Sequence, residues 1–404
     1  MAKMRRPLEG VKCICVTMFQ QGPVAFSHFA DLGAEVIKIE RPGTGEQGRY
    51  LLKSSNFPIS PYYETNNRGV KCITLNIQHD KSKEIIYKLV KDADIFAQNF
   101  RPGVAERRGF GYEVLSKINP KLVYLSMTSY GPDGPNANLP GTDGVAQATG
   151  GIGSVFGEEG SRMVLGQASV ADETAAMTNF AAAMVGLYHA KMTGEGQLIE
   201  TSLLGGMVRL MGYSLSRVMM TGEVMEPTRA RIMGGAVSAM TACFSDKDDK
   251  PFMIQVIGEE RWQKGLKGIG FYDEMVKVGC DKLGAIADSK EKTKVFFDTI
   301  DRLFATGTRE DWLKKLRAAD VVSAPINTLN EVAEDLDVIA NEYITVVDHP
   351  KAGKVREVGF PWKFSKTPAK AGIAPELGEH TNEVLKGIGY SDAEIEQLRN
   401  EKVI

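Results

Sequence analysis

The chain has 404 residues, 43% of them hydrophobic, and a formal net charge of −2. That length and apolar content predict a large core and more than one domain. The balanced charge excludes a global basic field for nucleic acid, and no charge run marks a tail.

Strand-like and helix-like runs alternate through the first half. Residues 11–16 form a short apolar run with Cys13 and Cys15 alternating, and residues 23–32 have helical spacing closed by Gly33. Residues 35–40 (EVIKIE) and 72–76 read as strands, and residues 80–93 (DKSKEIIYKLVKDA) as an amphipathic helix opened by an acid. Residues 94–100 and 122–127 are further buried strands. This order predicts a parallel sheet with helices on both faces. Residues 174–190 are apolar but carry Asn179 and His189, bracketed by Glu173 and Lys191, which fits a buried helix better than a membrane span.

The texture changes after about residue 225. A Gly234-Gly235 turn, the apolar run 251–256 and helical segments over 261–320 read as a smaller α+β domain. Residues 321–327 (VVSAPIN), with Pro325, read as a return linker. The tail carries strand-like 344–347 and 355–358, an extended 360–365 and a helix near 392–401. The expected division is 1–225 for the N-terminal part of the large domain, 226–325 for the small domain, and 326–404 for the linker and C-terminal part of the large domain.

Five cysteines (Cys13, Cys15, Cys72, Cys243, Cys280) lack metal or CxxC spacing, and no histidine has a zinc-like partner, so no metal is expected. The odd cysteine count and the lack of an apolar run behind Met1-Ala-Lys-Met-Arg5 predict reduced thiols and a cytoplasmic protein. A G-x-G-x-x-G occurs at Gly43, Gly45 and Gly48. A dinucleotide fingerprint needs a helix opening directly on the glycines, and RYLLKSSNFPIS is a poor helix former, so a polar loop and no nicotinamide site are expected. No G-x-S-x-G elbow supports a serine hydrolase. Arg41, Arg101 and the pair Arg107-Arg108 stand beside strand ends, and Arg68 and Lys71 precede a strand. Each is a solvated charge by default; together they suggest a polyphosphate ligand.

The acid Asp172 lies in GQASVADET, ahead of an alanine-rich helix where packing excludes water. One reading is an acid that complements the helix macrodipole. The other is a covalent nucleophile, since a carboxylate attacks a thioester and leaves again reversibly.

Several separated motifs carry a resemblance: Gln20-Gln-Gly-Pro23, residues 33–43 (GAEVIKIERPG), Asn67-Arg68, Asn99-Phe-Arg-Pro-Gly103, GQASVAD, Thr193-Gly-Glu-Gly-Gln197 and Leu377-Gly-Glu-His380-Thr. Their ordered set resembles class III coenzyme A (CoA) transferases almost end to end. The resemblance implies an α/β fold, with a large Rossmann-like parallel-sheet domain and a smaller α+β domain, in an interlocked dimer. It implies acyl-CoA and a free carboxylic acid as substrates, with Asp172 as nucleophile and Gln20 orienting the acyl carbonyl. Arg41, Leu75, Asn99 and Arg107 match CoA-lining positions, with Arg108 beside them. Gly234 and Gly235 match a loop shielding the covalent intermediates, and Phe19, Gln21 and Tyr50 join the expected pocket mouth with residues near 233–237. Backbone N–H groups near residue 172 are expected to stabilise oxyanions.

Racemases of this fold carry a His-Asp pair where this chain reads Gly141-Thr142-Asp143, so two-base proton exchange lacks its imidazole. The alternatives are such a racemase or an inert CoA-binding subunit of a heteromer. The expected donor is succinyl-CoA and the acceptor an aromatic or branched acid such as benzylsuccinate. Carnitine, oxalate and 2-hydroxy acids stay open, as does homodimer against heteromer.

Overall fold

A computed structural model describes residues 6–54, 57–156, 164–223, 239–286 and 288–404. The chain groups into two compact units. The first comprises Met1–Ile152, Leu165–Glu223 and Leu336–Ile404; the second comprises Gly153–Val164 and Val224–Asp335. Gly234 and Gly235 lie outside the described residues.

The first unit is built on a six-stranded parallel sheet of β1 (Lys12–Val16), β2 (Glu35–Glu40), β3 (Lys71–Thr74), β4 (Ile95–Gln98), β5 (Val123–Thr128) and β6 (Leu198–Ser202). The order is β3-β2-β1-β4-β5-β6, the doubly wound arrangement. Alternation in β1 sorts its side chains onto two faces. Ile14 and Val16 join the cluster under α3 (Lys81–Val90), and Cys13 and Cys15 join the cluster under α1 (Gln21–Asp31). The expected parallel sheet with helices on both faces is therefore present. β6 was not among the expected strands, and its half-exposed LIETS run at the sheet edge has little apolar signal.

The tail completes this sheet. Strand β3 lies at the other edge, where unpaired backbone groups are a liability. The Leu377–Thr381 motif covers it. The Cys72 N–H donates to His380 Nδ1 at 3.2 Å, the His380 N–H donates to the Cys72 carbonyl at 2.9 Å, and the Thr74 N–H donates to Thr381 Oγ1 at 3.0 Å. Beyond it, Asn76 N–H donates to the Val403 carbonyl at 2.7 Å, and Val403 is wholly buried.

The long helix α7 (Val170–Thr193) packs across β5 and β6. Its C-terminus explains Thr193–Gln197. Gly194 takes φ +80° as the left-handed cap, and a Cβ on Gly196 would stand 2.1 Å from the Leu122 carbonyl oxygen. Among the described residues, no helix is long and apolar enough to cross a membrane.

The second unit carries an antiparallel sheet β7-β8-β9, where β7 is Ala239–Ser245, β8 is Pro251–Ile257 and β9 is Val322–Pro325. Its core gathers Phe244, Phe252, Phe296, Phe304 and Trp312. Here the expected return linker at 321–327 is corrected, because it supplies β9. Pro325 ends an edge strand, where a missing N–H costs nothing. In the first unit, the two expected strands are present as β10 (Ile344–His349) and β11 (Gly353–Val358), which pair as an antiparallel hairpin, and a capping box at Ser391 and Glu394 starts the final helix at Asp392.

Substituting Gly196→Ala drives a methyl group into a carbonyl that cannot retreat from the sheet. The expected loss is about 3 kcal/mol or more, read from urea denaturation of the purified protein.

Candidate active site

Strand order reverses between β1 and β4, and the crevice beyond their C-terminal ends is where such a sheet presents a ligand site. Residues 18–21 join β1 to α1 there, and each is held from elsewhere. Asn99, just past β4, accepts the Met18 N–H at 3.0 Å and donates to the Met18 carbonyl at 2.8 Å. The Phe19 N–H donates to Glu46 at 3.1 Å. Gln20 Nε2 donates to Glu173 Oε1 at 2.5 Å. The Gln21 N–H donates to the Asp172 carboxylate, and the Gln21 carbonyl accepts from Asn179 at 3.2 Å. These holds sustain φ +64° at Phe19, a conformation that costs a bulky residue about 1–3 kcal/mol. Gly22 is required because a Cβ there would lie 2.7 Å from Thr17 Cβ.

The loop after β2 rests on a buried charge network. Lys38, 1% exposed, pairs with Glu46 at 3.0 Å and donates to Asn67. Asn67 returns a bond to Glu46 at 3.2 Å. Glu40 takes two bonds from Arg49 at 2.8 Å, one from the Tyr63 hydroxyl at 2.6 Å and one from the Glu46 N–H at 2.9 Å. Burial pushes the Glu40 carboxyl up, but Arg49 and Lys38 outweigh it and hold it at about 2. The acids of this loop are thus neutralised internally, and Arg41 remains exposed.

Two cavities open along the crevice. The larger, about 870 Å³, lies over the ends of β1, β2 and β3 and is lined by Arg41, Gly43, Gly45, Leu75, Phe100 and Lys402 among others. The smaller, about 490 Å³, holds Phe19, Gln21, Tyr62, Arg101, Asp143 and Asp172. Met18 and Phe100 line both, so the two adjoin. The glycine run Gly43–Gly48 forms a loop and a short 3₁₀ turn rather than an α-helix, as expected, yet it lines the larger cavity.

Asp172 sits in the first turn of α7. Burial raises its carboxyl to about 7, with the charge of Asp143 adding to the rise and the Gln21 N–H and Glu173 acting as smaller opposed influences. Asp143 opens helix α6 (Asp143–Thr149), and one of its oxygens accepts the N–H groups of Ala171 and Asp172 at 2.8 and 3.0 Å. Gln147 donates to its other oxygen at 2.5 Å. The Glu173 N–H is bonded to the Ser169 carbonyl at 2.9 Å. The backbone donors expected to serve an oxyanion near residue 172 are therefore occupied, which corrects that expectation. The Tyr62 hydroxyl faces the same acids. Burial and the charges of Asp172, Glu46, Glu173 and Asp143 hold it protonated as a donor.

The expected site residues are distributed as follows. Asp172, Phe19, Gln21 and Asn99 line the smaller cavity, and Arg41, Leu75 and Tyr50 the larger. Gln20 is 8% exposed and lines neither, its amide being turned to Glu173. Arg107, exposed, and Arg108, half-buried, follow the αL turn at Gly103 and line neither cavity. Arg68 is no ligand group: it is buried and bound to Asp31 at 2.7 and 3.0 Å. Lys71 is held by Glu35 and Glu383 at 2.8 Å each. Sequence reasoning missed Asp143, read only as the neighbour of an absent histidine, and the basic pair Arg399 and Lys402. The last two reach the larger cavity only because Val403 is anchored beside Asn76.

The model of CoA-transferase family III matches residues 8–381. A formyl-CoA:oxalate CoA-transferase of Rhodopseudomonas palustris (strain TIE-1) is 30% identical over 417 aligned positions, spanning 98% of this chain and 97% of its own length. Another protein of that description, from Escherichia coli O157:H7 (strain EC4115 / EHEC), is 29% identical, spanning 99% and 100%. A crystal structure of a CAIB/BAIF family protein from Brucella suis superposes with a TM-score of 0.83 at 24% identity, covering 95% of this chain and all of that one, and so shares the fold.

An acid favoured in its neutral form titrates late. Asp172 is expected to lose its proton near pH 7, measured by carboxyl labelling against pH or by a site-specific carbon resonance. Asp143→Asn keeps an oxygen for the α7 cap but removes a charge, and moves that midpoint down. The sign for stability follows: Asp172 favours the fold fully below pH 3.8, and the contribution is lost as pH rises through about 7.

Proposed function

Because the chain belongs to CoA-transferase family III, we propose that it moves CoA from an acyl-CoA to a free carboxylic acid through covalent intermediates on Asp172. The observation that carries this reading is a half-buried carboxylate at the sheet's switch point, beside a second cavity with a glycine turn and the cations Arg41 and Lys402, with Arg399 beside them in a pair with Glu396. CoA is elongated, and two adjoining cavities suit a molecule with a phosphorylated end and a distant thioester. Arg41, Leu75 and Asn99 serve the CoA body, with Lys402 and Arg399 adding charge at the far end; Arg107 and Arg108 stand outside these walls and serve it only if they swing inward.

The reaction balances without metal, nicotinamide or ATP. The Asp172 carboxylate attacks the thioester carbonyl, the C–S bond breaks, and CoA leaves as thiolate, giving a mixed anhydride. The thiolate then attacks the aspartyl carbonyl and the first acid departs as carboxylate. The acceptor carboxylate attacks the resulting aspartyl-CoA thioester and expels the thiolate. The thiolate takes the new acyl group from the second anhydride, which restores Asp172. Partial burial raises the energy of the attacking carboxylate relative to water. The Tyr62 hydroxyl lines the same cavity, and in this reading the Gln20 amide, between the lining residues Phe19 and Gln21, turns its second hydrogen inward as the other oxyanion donor. The glycines Gly234 and Gly235 belong to the shielding loop in this reading.

The substrates we propose are succinyl-CoA as donor and an aromatic or branched acid of the benzylsuccinate kind as acceptor. Phe19, Tyr62, Leu139 and Leu203 provide apolar wall around Asp172, and Arg101 is the one cation among the described residues lining that cavity, placed for a second carboxylate. Racemisation is disfavoured because Thr142 replaces an imidazole and Asp143 is committed to the α7 cap. An exposed apolar face on α7, with Val185, Tyr188 and Met192, supports assembly with a second copy or a related chain as an interlocked dimer. CoA thioesters and the buried thiols of Cys13, Cys15, Cys72 and Cys280 fit a cytoplasmic setting.

Asp172→Asn is expected to lower transfer by about 10⁴-fold or more. With donor present, hydroxylamine should modify residue 172 of the wild type, seen by peptide mass; a fully active Asn variant rejects the mechanism. A matrix of acyl-CoA donors against free acids, read by mass spectrometry, should show dicarboxylyl donors and aromatic acceptors ahead of formyl-CoA and oxalate. Lys402→Ala should weaken CoA binding in calorimetry by about 2- to 5-fold, the scale of an exposed ion pair.

A further inference from the structure

The two acids that open α7 meet two successive glutamines of the β1–α1 turn. Asp172 accepts the backbone N–H of Gln21, and Glu173 accepts the side-chain amide of Gln20 at 2.5 Å. We propose that Glu173 is a positioning residue for acyl transfer, whose carboxylate fixes which end of the Gln20 amide faces the reacting carbonyl. The proposal rests on the roles given above to Asp172 and Gln20.

The reason lies in the two-ended chemistry of an amide. A glutamine side chain offers a pair of N–H donors at one end and an acceptor oxygen at the other. Beside a carbonyl that becomes an oxyanion, the donor end stabilises and the oxygen end repels. A free amide rotates between the two. With one Nε2 hydrogen held on Glu173, the amide plane is set, and the second hydrogen is the one left for a substrate oxygen. Glu173 is exposed while Gln20 is 8% exposed, so the carboxylate reaches inward from the solvent side to a side chain with few other partners.

Two further observations set this bond apart from ordinary scaffolding. The turn does not need it: Met18, Phe19 and Gln21 are each held through their backbones by Asn99, Glu46, Asp172 and Asn179. The site does need a set donor, because the N–H groups of Ala171, Asp172 and Glu173 are already bonded to Asp143 and Ser169. Side chains must then do what free backbone would otherwise do; the Gln20 amide shares that task with the Tyr62 hydroxyl, and an unheld amide does it poorly. Misplacement of a group by about 1 Å costs on the order of 100-fold in rate.

The test compares Glu173→Ala, Glu173→Gln, Gln20→Ala and the double alanine variant with the wild type, measuring kcat, KM for acyl-CoA and the pH profile. Glu173→Ala should lower kcat about 10- to 100-fold and leave KM within about 2-fold. Glu173→Gln, whose amide oxygen accepts the same bond, should recover most of kcat. The double variant should be no worse than Gln20→Ala alone, the coupling expected of one unit. The charges around Asp172 are Glu173 itself, Asp143 from α6 and Arg101 beyond β4, with the Tyr62 hydroxyl opposite. Both Glu173 variants remove one negative neighbour, so both should move the acid limb to lower pH although only the alanine variant is slow. Full kcat in Glu173→Ala, equal damage from Ala and Gln, or multiplying effects of Glu173→Ala and Gln20→Ala would overturn the proposal. Full activity of Gln20→Ala would instead overturn the role of Gln20, and the proposal with it.

Discussion

A buried lysine organises the ligand side of this molecule. Lys38 points from the middle of a parallel strand into the interior, where an unpaired ammonium is intolerable. Glu46 and Asn67 neutralise and bond it, and in doing so they bend the chain after β2 back across the strand ends. The same Glu46 then accepts the N–H of Phe19, and so props the β1–α1 turn in its left-handed form. Without that pair, neither the glycine-lined wall of the larger cavity nor the turn facing Asp172 has a reason to stay in place.

Around Asp172, three acids share a small volume with three separate assignments. Asp143 spends its charge on the N-terminus of α7, where partial positive charge collects. Glu173 spends its charge on an amide. Asp172 receives one backbone hydrogen bond and little else, so burial and its neighbours leave it the least comfortable anion of the three. Such discomfort is the usual condition of a working group in a folded protein, and it is what the proposed nucleophile would need.

Much of the fold was legible in the sequence because the sheet is buried on both faces and its strands are short apolar runs. β6 was not legible, since LIETS is half exposed, and β9 was hidden by a proline that an edge position tolerates. The lining of the candidate site was legible at Asp172, Arg41, Leu75 and Asn99, which do line the two cavities. It was misread at Arg68 and Lys71, because a sequence shows a charge but not the acid it has already met. Asp143, Arg399 and Lys402 were invisible for a different reason: their roles depend on segments brought together across 29 residues in one case and some 300 in the other. Several motif residues that carry the family likeness proved to be carpentry. Gly196 yields room to a carbonyl, His380 and Thr381 pair with an edge strand, and Asn99 clamps a turn.

That edge pairing has a bearing on how the chain is made. Strand β3 emerges from the ribosome some 300 residues before the segment that covers it. Throughout that interval a nascent sheet carries a bare hydrogen-bonding rim, with the insertion from 224 to 335 still to be synthesised. Contacts this remote form slowly, and an open rim invites the wrong strand. The flanking charges Glu35 and Lys71, which end as a salt bridge on the finished surface, are well placed to discourage such pairing in the meantime.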